Sequence, residues 1–228
     1  MGMLPKQFIE IGSFLLSKGI NAYLIGSSSR DFLLGKDIED FDIAIDKPID
    51  SIVDLFDEKM DKYACYGSIT VKYNETKYDI TSFRKELTYK DLRHPSQILF
   101  TPNIEEDYPR RDFTVNAIYI SLDGKVFDFT SGINDLNGHL IRTIGNPKER
   151  IKEDPLRILR AIRFSLIYDF DIEESLEFAI LRYGNLLSQI SEGKIISELI
   201  KMRKGGVNEL DIKKAFSRFN LTMYYKAR

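Results

Sequence analysis

Two aspartates spaced two residues apart are the residues of this chain best suited to chemistry. Asp40 and Asp42 interrupt a short apolar run, 38–45, which is typical of a β-strand. Side chains at positions i and i+2 of a strand leave from the same face, so the two carboxylates are expected to lie close together. Hard oxygen ligands of this kind suit Mg²⁺, which usually also takes phosphate oxygens of a substrate. Taken alone, the pair leaves open the alternative of a strand end with two solvated acids.

The residues before this pair strengthen the case for phosphate chemistry. The apolar segment 21–26 predicts a strand that ends at Gly26, and 27–34 predicts a short helix with a serine cap and a stop at Gly35. A strand, a small-residue turn and a helix start together present backbone N–H groups to an anion. A phosphate-binding turn followed closely by an Asp-x-Asp strand is the layout of a nucleotidyltransferase.

Composition limits the class of protein. The chain has 228 residues, of which 43% are hydrophobic and 30% charged, as in ordinary globular proteins, and the length suffices for a compact domain with a helical extension. A single cysteine, Cys65, excludes a disulfide framework. No apolar run reaches about 18 residues, and no signal-peptide pattern is present, so a cytoplasmic protein without a membrane partner is expected.

Charge is distributed unevenly, although the formal net charge is only −2. The segment 201–228 holds eight basic and two acidic residues, which suggests a surface for a phosphate backbone, with a solvated helix face as the alternative. The candidate RNA contacts in this segment are Lys201, Arg203, Lys204, Lys213 and Lys214.

Hydrophobic periodicity predicts an alternating first half and a helical second half. In the first half we expect a helix over 5–18, strands near 21–26 and 40–46, a helix near 50–60, and strands over 62–65, 68–73 and 77–82. Residues 85–110 are predicted to be irregular, and a hairpin turning at Asp123-Gly124 is expected to join strands 116–122 and 125–129. Helices are predicted over 155–167, 172–182, 191–203 and 210–219.

Three further stretches carry a family resemblance. They are Arg110-Arg111-Asp112-Phe113-Thr114-Val115-Asn116-Ala117, the segment 128–136, and Glu153-Asp154-Pro155-Leu156-Arg157 with its continuation to 164. Together with Gly26…Arg30-Asp31 and Asp40-x-Asp42, they resemble the motif series of class II tRNA nucleotidyltransferases (CCA-adding enzymes) and the closely related bacterial poly(A) polymerases. The resemblance runs from about residue 20 to about residue 205.

The resemblance implies an α+β fold. A polymerase-β-like nucleotidyltransferase head with a mixed, mainly antiparallel sheet would span 1–140. An all-helical neck with the base-reading helix would span 141–205, and 206–228 would begin a shortened helical body. Family members carry a long body and tail that grip the tRNA elbow. Because this sequence stops soon after the neck, we expect either a shortened chain or tRNA held mainly by its acceptor end.

The resemblance also assigns residues. Asp40 and Asp42 would be catalytic and bind two Mg²⁺ ions, and Gly26 and Ser27 match the triphosphate turn. Asp79, on a neighbouring predicted strand, is a weaker third metal candidate, with a solvated turn-edge acid as the alternative.

The remaining nucleotide-binding assignments come from the later motifs. Arg111 and Asp112 match the motif for ribose and nucleotide positioning, and Asp154 and Arg157 match the pair that reads the incoming base. Three arginines of the same motifs complete the nucleotide-binding candidates: Arg30, Arg160 and Arg163.

The base-reading pair also has a physical argument. Positions 154 and 157 are i and i+3, which places both side chains on one face of a helix. Cytosine and adenine each present an amino donor beside a ring-nitrogen acceptor, so an Asp acceptor beside an Arg donor complements both and mismatches uracil and guanine. The alternative is an ordinary intrahelical salt bridge between the two residues.

Two departures from the family pattern are evident. The family turn is Gly-Gly-x-Val-Arg-Asp, whereas Ser27 follows Gly26 here and brings a Cβ and a hydroxyl close to the phosphate site. In the neck, Lys194 stands where the family usually has arginine, so an ammonium replaces a guanidinium.

The leading hypothesis is therefore addition of CCA to tRNA from CTP and ATP. The enzymatic alternatives are a poly(A) polymerase or an enzyme that adds only part of CCA, and the segment 89–95 resembles the flexible loop that accompanies terminal A addition. A non-catalytic module that binds nucleotide or RNA is the alternative from another class.

Overall fold

The computed structural model of the chain describes residues 2–60, 67–89 and 95–225, which fall into two compact units. The first unit comprises the described residues of 2–88, 96–111 and 115–133, and the second comprises 89, 95, 112–114 and 134–225. The predicted strand 62–65, Cys65 and most of the loop-like segment 89–95 lie outside the described residues. The predicted domain limits at 140 and 205 stay predictions.

Helices and strands both occur up to residue 141, and the elements after it are mostly helices. The helices are α1 (Lys6–Ser17), α2 (Gly26–Leu33), α3 (Ile104–Asp107), α4 (Gly132–Asn137), α5 (Pro147–Glu153), α6 (Leu156–Tyr168), α7 (Glu174–Tyr183), α8 (Glu192–Lys204) and α9 (Glu209–Arg218). The strands are β1 (Ala22–Leu24), β2 (Phe41–Ile45), β3 (Lys59–Met60), β4 (Ser68–Tyr73), β5 (Thr76–Ser82), β6 (Arg84–Tyr89), β7 (Pro95–Phe100), β8 (Ile118–Ser121), β9 (Val126–Asp128), β10 (Leu140–Ile141) and β11 (Asp171–Ile172).

One sheet organises the first unit. Its strand order is β3-β4-β5-β2-β1-β8-β9, and the β2–β5 pair is parallel whereas its other neighbouring pairs are antiparallel. The predicted mixed, mainly antiparallel sheet is therefore confirmed. The parallel pairing places Asp42 of β2 opposite Asp79 of β5 in register.

Apolar side chains cover both faces of this sheet. On one face, α1 buries Phe8, Ile11 and Leu15 against Ile43 and Ile80 of the central strands. A smaller cluster of Ile25, Ala44, Phe83 and Tyr119 fills the space on the other side. Since the central strands are packed on both sides, the start of β2 and the turn after β1 are held on a rigid support.

Two local predictions in this unit are wrong. The helix expected near 50–60 is replaced by two 3₁₀ turns, Ile49–Ser51 and Val53–Leu55, followed by β3. Ile49 and Ile52 are both buried in the core, and side chains three residues apart eclipse in a 3₁₀ turn, so the short form satisfies their burial. The expected irregular segment 85–110 instead contains β6 and β7 as a two-stranded sheet, with Pro95 as the first residue of β7, where a missing N–H is tolerated.

The second unit is mainly helical. Helix α6 is its central element, since Ile158, Leu159 and Ile162 are almost completely buried. The predicted helices agree with α6, α7, α8 and α9 to within a few residues, whereas the short parallel pair β10–β11 was not predicted. Among the described residues, no helix is both long enough and apolar enough to cross a membrane.

Candidate active site

The turn after β1 brings the backbone directly against the carboxylate of Asp42. Gly26 has a φ of +64°, and a Cβ at this position would lie 2.8 Å from Oδ2 of Asp42. Any other residue would therefore be strained in its backbone and would collide with the carboxylate. The glycine at position 26 is required both for the turn and for the close approach.

The serines of this turn hold the carboxylate strand. The backbone N–H of Ser27 donates to Oδ2 of Asp42 at 3.0 Å, and the Ser27 hydroxyl donates to the same oxygen. The buried Ser28 hydroxyl donates to the carbonyl of Asp40 at 3.0 Å and accepts from the N–H of Asp42 at 2.6 Å. The predicted serine cap of α2 is wrong, because Ile25 is the N-cap residue and no side chain caps this helix.

The acids differ in their surroundings. Asp42 is half-buried on β2, whereas Asp40 is exposed in a bend just before β2. The prediction that Asp40 lies within the strand is therefore wrong. Asp79, opposite Asp42 in the register, is exposed and accepts from the Thr70 hydroxyl at 2.5 Å. Oδ1 of Asp42 accepts no hydrogen bond from the described residues, which leaves it available to a ligand.

Electrostatics at Asp42 favour a bound cation. Burial raises the pKa of Asp42, the hydrogen bonds from Ser27 oppose this effect, the Asp79 carboxylate adds to it, and the Arg111 charge opposes it; the net direction is upward. Among the described residues no group of three or more His, Cys, Asp or Glu side chains forms a preassembled metal site. A carboxylate that is costly to ionise beside a second acid fits Mg²⁺, which would complete its oxygen shell with water or phosphate.

Arg111 lies in a buried charge cluster of the first unit. Its Nε and Nη2 donate to Oδ2 of Asp107 at 3.1 and 2.9 Å, and its Nε also lies 2.9 Å from the hydroxyl of Tyr119. Neither Asp107 nor Tyr119 was predicted as a functional residue. The signal available in the sequence was the acid four residues before an arginine, a spacing that favours an ion pair over one helical turn.

Arg30 is a buried residue of α2, the helix that begins at the Gly26 turn. Its side chain is 2% exposed; Nη1 donates to Oδ1 of Asn116 at 2.6 Å and Nε to Oδ1 of Asp31 at 3.1 Å. The arginine predicted to contact nucleotide therefore ties α2 to the segment before β8. Its contribution to the site is to fix the turn that carries Gly26 and Ser27.

In the second unit, Asp112 is paired with Arg160. Nε of Arg160 donates to Oδ2 of Asp112 at 2.7 Å, and Nη2 donates to the same oxygen. Burial lowers the pKa of Arg160, but the carboxylates of Asp112, Glu198 and Asp154 outweigh it and raise the pKa overall. Two neighbours in one motif, Arg111 and Asp112, thus take different partners.

The base-reading pair is arranged differently from the sequence prediction. Asp154 precedes α6 in an extended conformation, so the expected placement of both residues on one helix face is wrong. Oδ1 of Asp154 accepts from the N–H of Leu156 at 3.0 Å, as a cap at the start of α6. Arg157 donates through Nη1 to the carbonyl of Arg150 at 2.6 Å and to Oε2 of Glu153 at 3.0 Å. The alternative of a salt bridge between 154 and 157 is therefore wrong as well, since the ion pair of Arg157 is with Glu153.

Comparison with known proteins identifies the family. A family model described as the poly A polymerase head domain matches residues 22–142, more than half of the chain. The chain belongs to this family.

Individual members of known function are also similar to the chain. The CCA-adding enzyme of Lactobacillus helveticus is 39% identical over 205 residues, which cover 89% of this chain and 51% of that enzyme. The crystal structure of the Bacillus stearothermophilus CCA-adding enzyme in complex with CTP matches with a TM-score of 0.83 at 29% identity, over 97% of this chain and 54% of that one. A tRNA nucleotidyltransferase complexed with a primer tRNA and an incoming ATP analog matches with a TM-score of 0.73 at 25% identity, over 96% of this chain and 64% of that one.

These comparisons confirm the predicted resemblance and the α+β nucleotidyltransferase head of the poly(A) polymerase family. The chain spans about half the length of the curated relatives that it matches.

The last nucleotide-binding candidate, Arg163, is buried in the second unit of this family member. Its Nη1 lies 3.1 Å from Oε2 of Glu198, and its guanidinium carbon lies 4.5 Å from the centroid of the Phe164 ring. Glu198 also pairs with Lys201 at 3.1 Å. Because its charge is paired with Glu198 and its guanidinium plane packs on Phe164, we infer that Arg163 stabilises the position of α6.

The basic C-terminal segment carries less unpaired charge than the sequence suggests. Lys201 pairs with Glu198, Nη2 of Arg203 donates to Glu209 at 3.2 Å, and Lys214 lies 3.4 Å from Asp211. Lys204 is exposed, and Nζ of Lys213 lies 5.5 Å from the Tyr225 ring centroid. Lys204 and Lys213 are therefore the better candidates for contacts with a phosphate backbone.

Proposed function

We propose that this chain carries the catalytic head and neck of a tRNA nucleotidyltransferase that adds C and A to tRNA 3′ ends without a template. Its substrates would be CTP, ATP and the tRNA acceptor end, with two Mg²⁺ ions. The observation that supports this most is the Gly26–Ser27 turn packed on Asp42, beside Asp40 and Asp79. The names and ligands of the similar enzymes, which include CTP, an ATP analog and a primer tRNA, support the substrate class.

The head residues would divide the work as follows. Asp42, whose Oδ1 accepts no hydrogen bond from the described residues, and the exposed Asp40 would hold the Mg²⁺ ions, and Asp79 would add a third oxygen ligand. When bound, such ions lower the pKa of the attacking 3′-hydroxyl and neutralise the triphosphate charge. Ser27 would keep Asp42 in place, and Arg111 would neutralise charge on the nucleotide.

Base choice would come from Asp154, just before α6, and Arg157, in the first turn of α6. Asp154 would accept from the amino group of cytosine or adenine, and Arg157 would donate to the neighbouring ring nitrogen. Capping of α6 by Oδ1 of Asp154 and the pairing of Arg157 with Glu153 would fix both groups before the base arrives. Asp112 and Arg160 would position the ribose as a rigid ion pair.

The test is a single-nucleotide incorporation assay with Mg²⁺. Each NTP is supplied alone to tRNAs that end at the discriminator base, at C and at CC. We expect CTP incorporation on the first two substrates, ATP incorporation on the third, and little use of UTP or GTP. Asp37→Asn is a matched control, because this exposed acid lies three residues before Asp40 in the chain and outside the carboxylate pair. Equal use of all four nucleotides, or absence of CTP incorporation, would contradict the proposal.

A poly(A) polymerase is the second candidate, favoured by the name of the family model that matches 22–142. The same assay separates the two functions. With ATP alone and an RNA that does not end in CC, a poly(A) polymerase extends the strand repeatedly, whereas a CCA-adding enzyme stops or does not start.

A further inference from the structure

A buried carboxylate in the first unit accepts hydrogen bonds from five donor groups of the described residues. Asp107, the last residue of α3, is completely buried. Its Oδ1 accepts from the backbone N–H of Arg84 at 3.0 Å and from Nε of Arg110 at 2.8 Å. Its Oδ2 accepts from Arg111 at 3.1 and 2.9 Å and from the Tyr119 hydroxyl at 2.6 Å.

This arrangement fixes the guanidinium of Arg111. Two of its nitrogens are bound to one carboxylate oxygen, and its central carbon lies 5.1 Å from the centroid of the Tyr119 ring. Tyr119 is itself completely buried and packs edge-on against Phe83 at 5.7 Å. Because both the carboxylate and the ring are held by the core, the guanidinium has little rotational freedom.

The guanidinium held in this way lies over a ring of the core that supports the candidate active site. That ring, Tyr119, belongs to the buried cluster that also contains Ile25, the residue before Gly26, and Ala44, which lies two residues after Asp42 on the same face of β2. Burial raises the pKa of Asp107, but the charges of Arg110 and Arg111 outweigh it and hold the pKa well below its ordinary value. The Asp107 carboxylate is therefore ionised in the folded protein at neutral pH.

The same carboxylate joins Arg111 to the start of β6. Arg84 is the first residue of that strand, and its N–H is bound to the oxygen that does not contact Arg111. A second, separate ion pair lies at the start of β6, where Nζ of Lys85 is 2.5 Å from Oε1 of Glu106. Glu106 contacts Lys85 of β6 and the Thr101 hydroxyl just after β7, and provides an internal comparison for Asp107.

We propose that Asp107 is a positioning residue for nucleotide binding, because it orients the guanidinium of Arg111 toward the triphosphate and links it to the start of β6. The proposal rests on the function proposed above. Asp107 touches no substrate; it acts through Arg111.

A double-mutant cycle on the 228-residue chain tests this assignment, with CTP and Mg²⁺ as the probe and calorimetric Kd as the readout. Arg111→Ala is expected to raise the Kd for CTP about 10- to 100-fold, the range for losing one hydrogen bond to a charged group. Asp107→Asn keeps the shape but removes the charge, and about a 5- to 30-fold increase is expected. In the Arg111→Ala background, Asp107→Asn should add less than about twofold, since there is no guanidinium left to orient.

Controls separate positioning from folding. Glu106→Gln weakens the ion pair with Lys85 at the start of β6 and should change the Kd for CTP by less than about twofold. If Asp107→Asn does not fold, as judged by circular dichroism, Tyr119→Phe replaces it in the cycle; it removes the hydroxyl that contacts both Asp107 and Arg111, and about a 2- to 5-fold increase is expected.

The outcomes distinguish the two proposals. Equal losses in both backgrounds would overturn the positioning role and leave the proposed function intact. Absence of CTP binding by the wild-type chain would overturn both. A loss that appears only when Arg111 is present would establish Asp107 as its positioning residue.

Discussion

The carboxylate site of the first unit and the arginine sites of the second unit differ in how their charges are balanced. In the first unit, Asp42 is surrounded by neutral donors, the N–H and hydroxyl of Ser27, and faces a second acid, Asp79. In the second unit, Arg160 and Arg163 each lie against a carboxylate, Asp112 for the first and Glu198 for the second. An acid left without a close cation in a half-buried position is disposed to bind one, whereas a paired arginine is fixed in direction and contributes geometry.

Asp107 shows that this contrast belongs to sites and not to whole units. It lies in the same unit as Asp42 and is more deeply buried, yet its pKa is lowered because two guanidinium groups face it, whereas the pKa of Asp42 is raised. Burial alone therefore does not decide the ionisation of a carboxylate; the charge of its nearest partner does.

The largest expected effect comes from removing the acid that lacks a cation. Asp42→Ala or Asp40→Ala should reduce nucleotide addition about 1,000-fold or more, because several kcal/mol of stabilisation by metal ions is lost. The fold should remain, and Asp42→Ala should even raise the melting temperature of the metal-free protein, since it removes a carboxylate that is costly to ionise. Incorporation assays and thermal unfolding without Mg²⁺ check both parts. Robust addition by the double variant would refute this placement of the site.

The next effect concerns the arginine that is already paired. Arg157→Ala should lower CTP and ATP incorporation together, by about 5- to 150-fold, because both bases lose the donor to their ring nitrogen. Asp154→Ala should weaken the rejection of UTP and GTP. Glu153→Gln should give a smaller loss than Arg157→Ala, because it removes the partner that fixes the arginine and not the donor itself. Loss of activity with every NTP equally after Asp154→Ala, with the C and A preference kept, would make Asp154 a structural cap.

A smaller effect is expected from the acid that is fully paired. The pKa of Asp107 is lower in the folded than in the unfolded chain, so its contribution to stability is present above the unfolded value, near 4, and is lost as the pH falls below it. Wild-type protein should therefore lose stability between about pH 5 and pH 3 more steeply than Asp107→Asn. Urea unfolding across this range measures the difference. Asp50→Asn, at an exposed position, controls for the change in net charge, and parallel pH curves for wild type and Asp107→Asn would contradict the expectation.

The smallest effect separates free from paired basic residues at the C-terminal end. Lys204→Gln and Lys213→Gln should each reduce the slope of log affinity for tRNA against log salt by about 1, as expected for one phosphate contact. Arg203→Gln should change it less, because this guanidinium is held by Glu209. Filter binding over a series of salt concentrations measures the slopes. Equal slopes for all three variants would mean that the pairing with Glu209 does not decide which residues contact RNA.

Much of the fold and of the head site followed from local patterns. The strands around Asp42, the glycine stop of α2, the Asp123-Gly124 hairpin and the later helices all agree with periods and turn residues visible in the sequence. Prediction was wrong where burial or long-range pairing overrode local preference, as in the 3₁₀ turns at Ile49–Ser51 and Val53–Leu55 and in strands β6 and β7. It was also wrong for the serines of α2, which bind the strand of Asp42 and do not cap their own helix.

By itself, the sequence determined the chemistry-bearing motifs, the fold class and the family, because these depend on residue type and on spacing along the chain. Only the tertiary structure decided which partner each charged group takes. Asp107 with Arg111, Asp112 with Arg160, and Glu153 with Arg157 lie at separations from 4 to 48 residues, and competing acids are nearby in every case. Partner choice depends on packed geometry and on the cost of burying each charge, and neither quantity is contained in a local pattern.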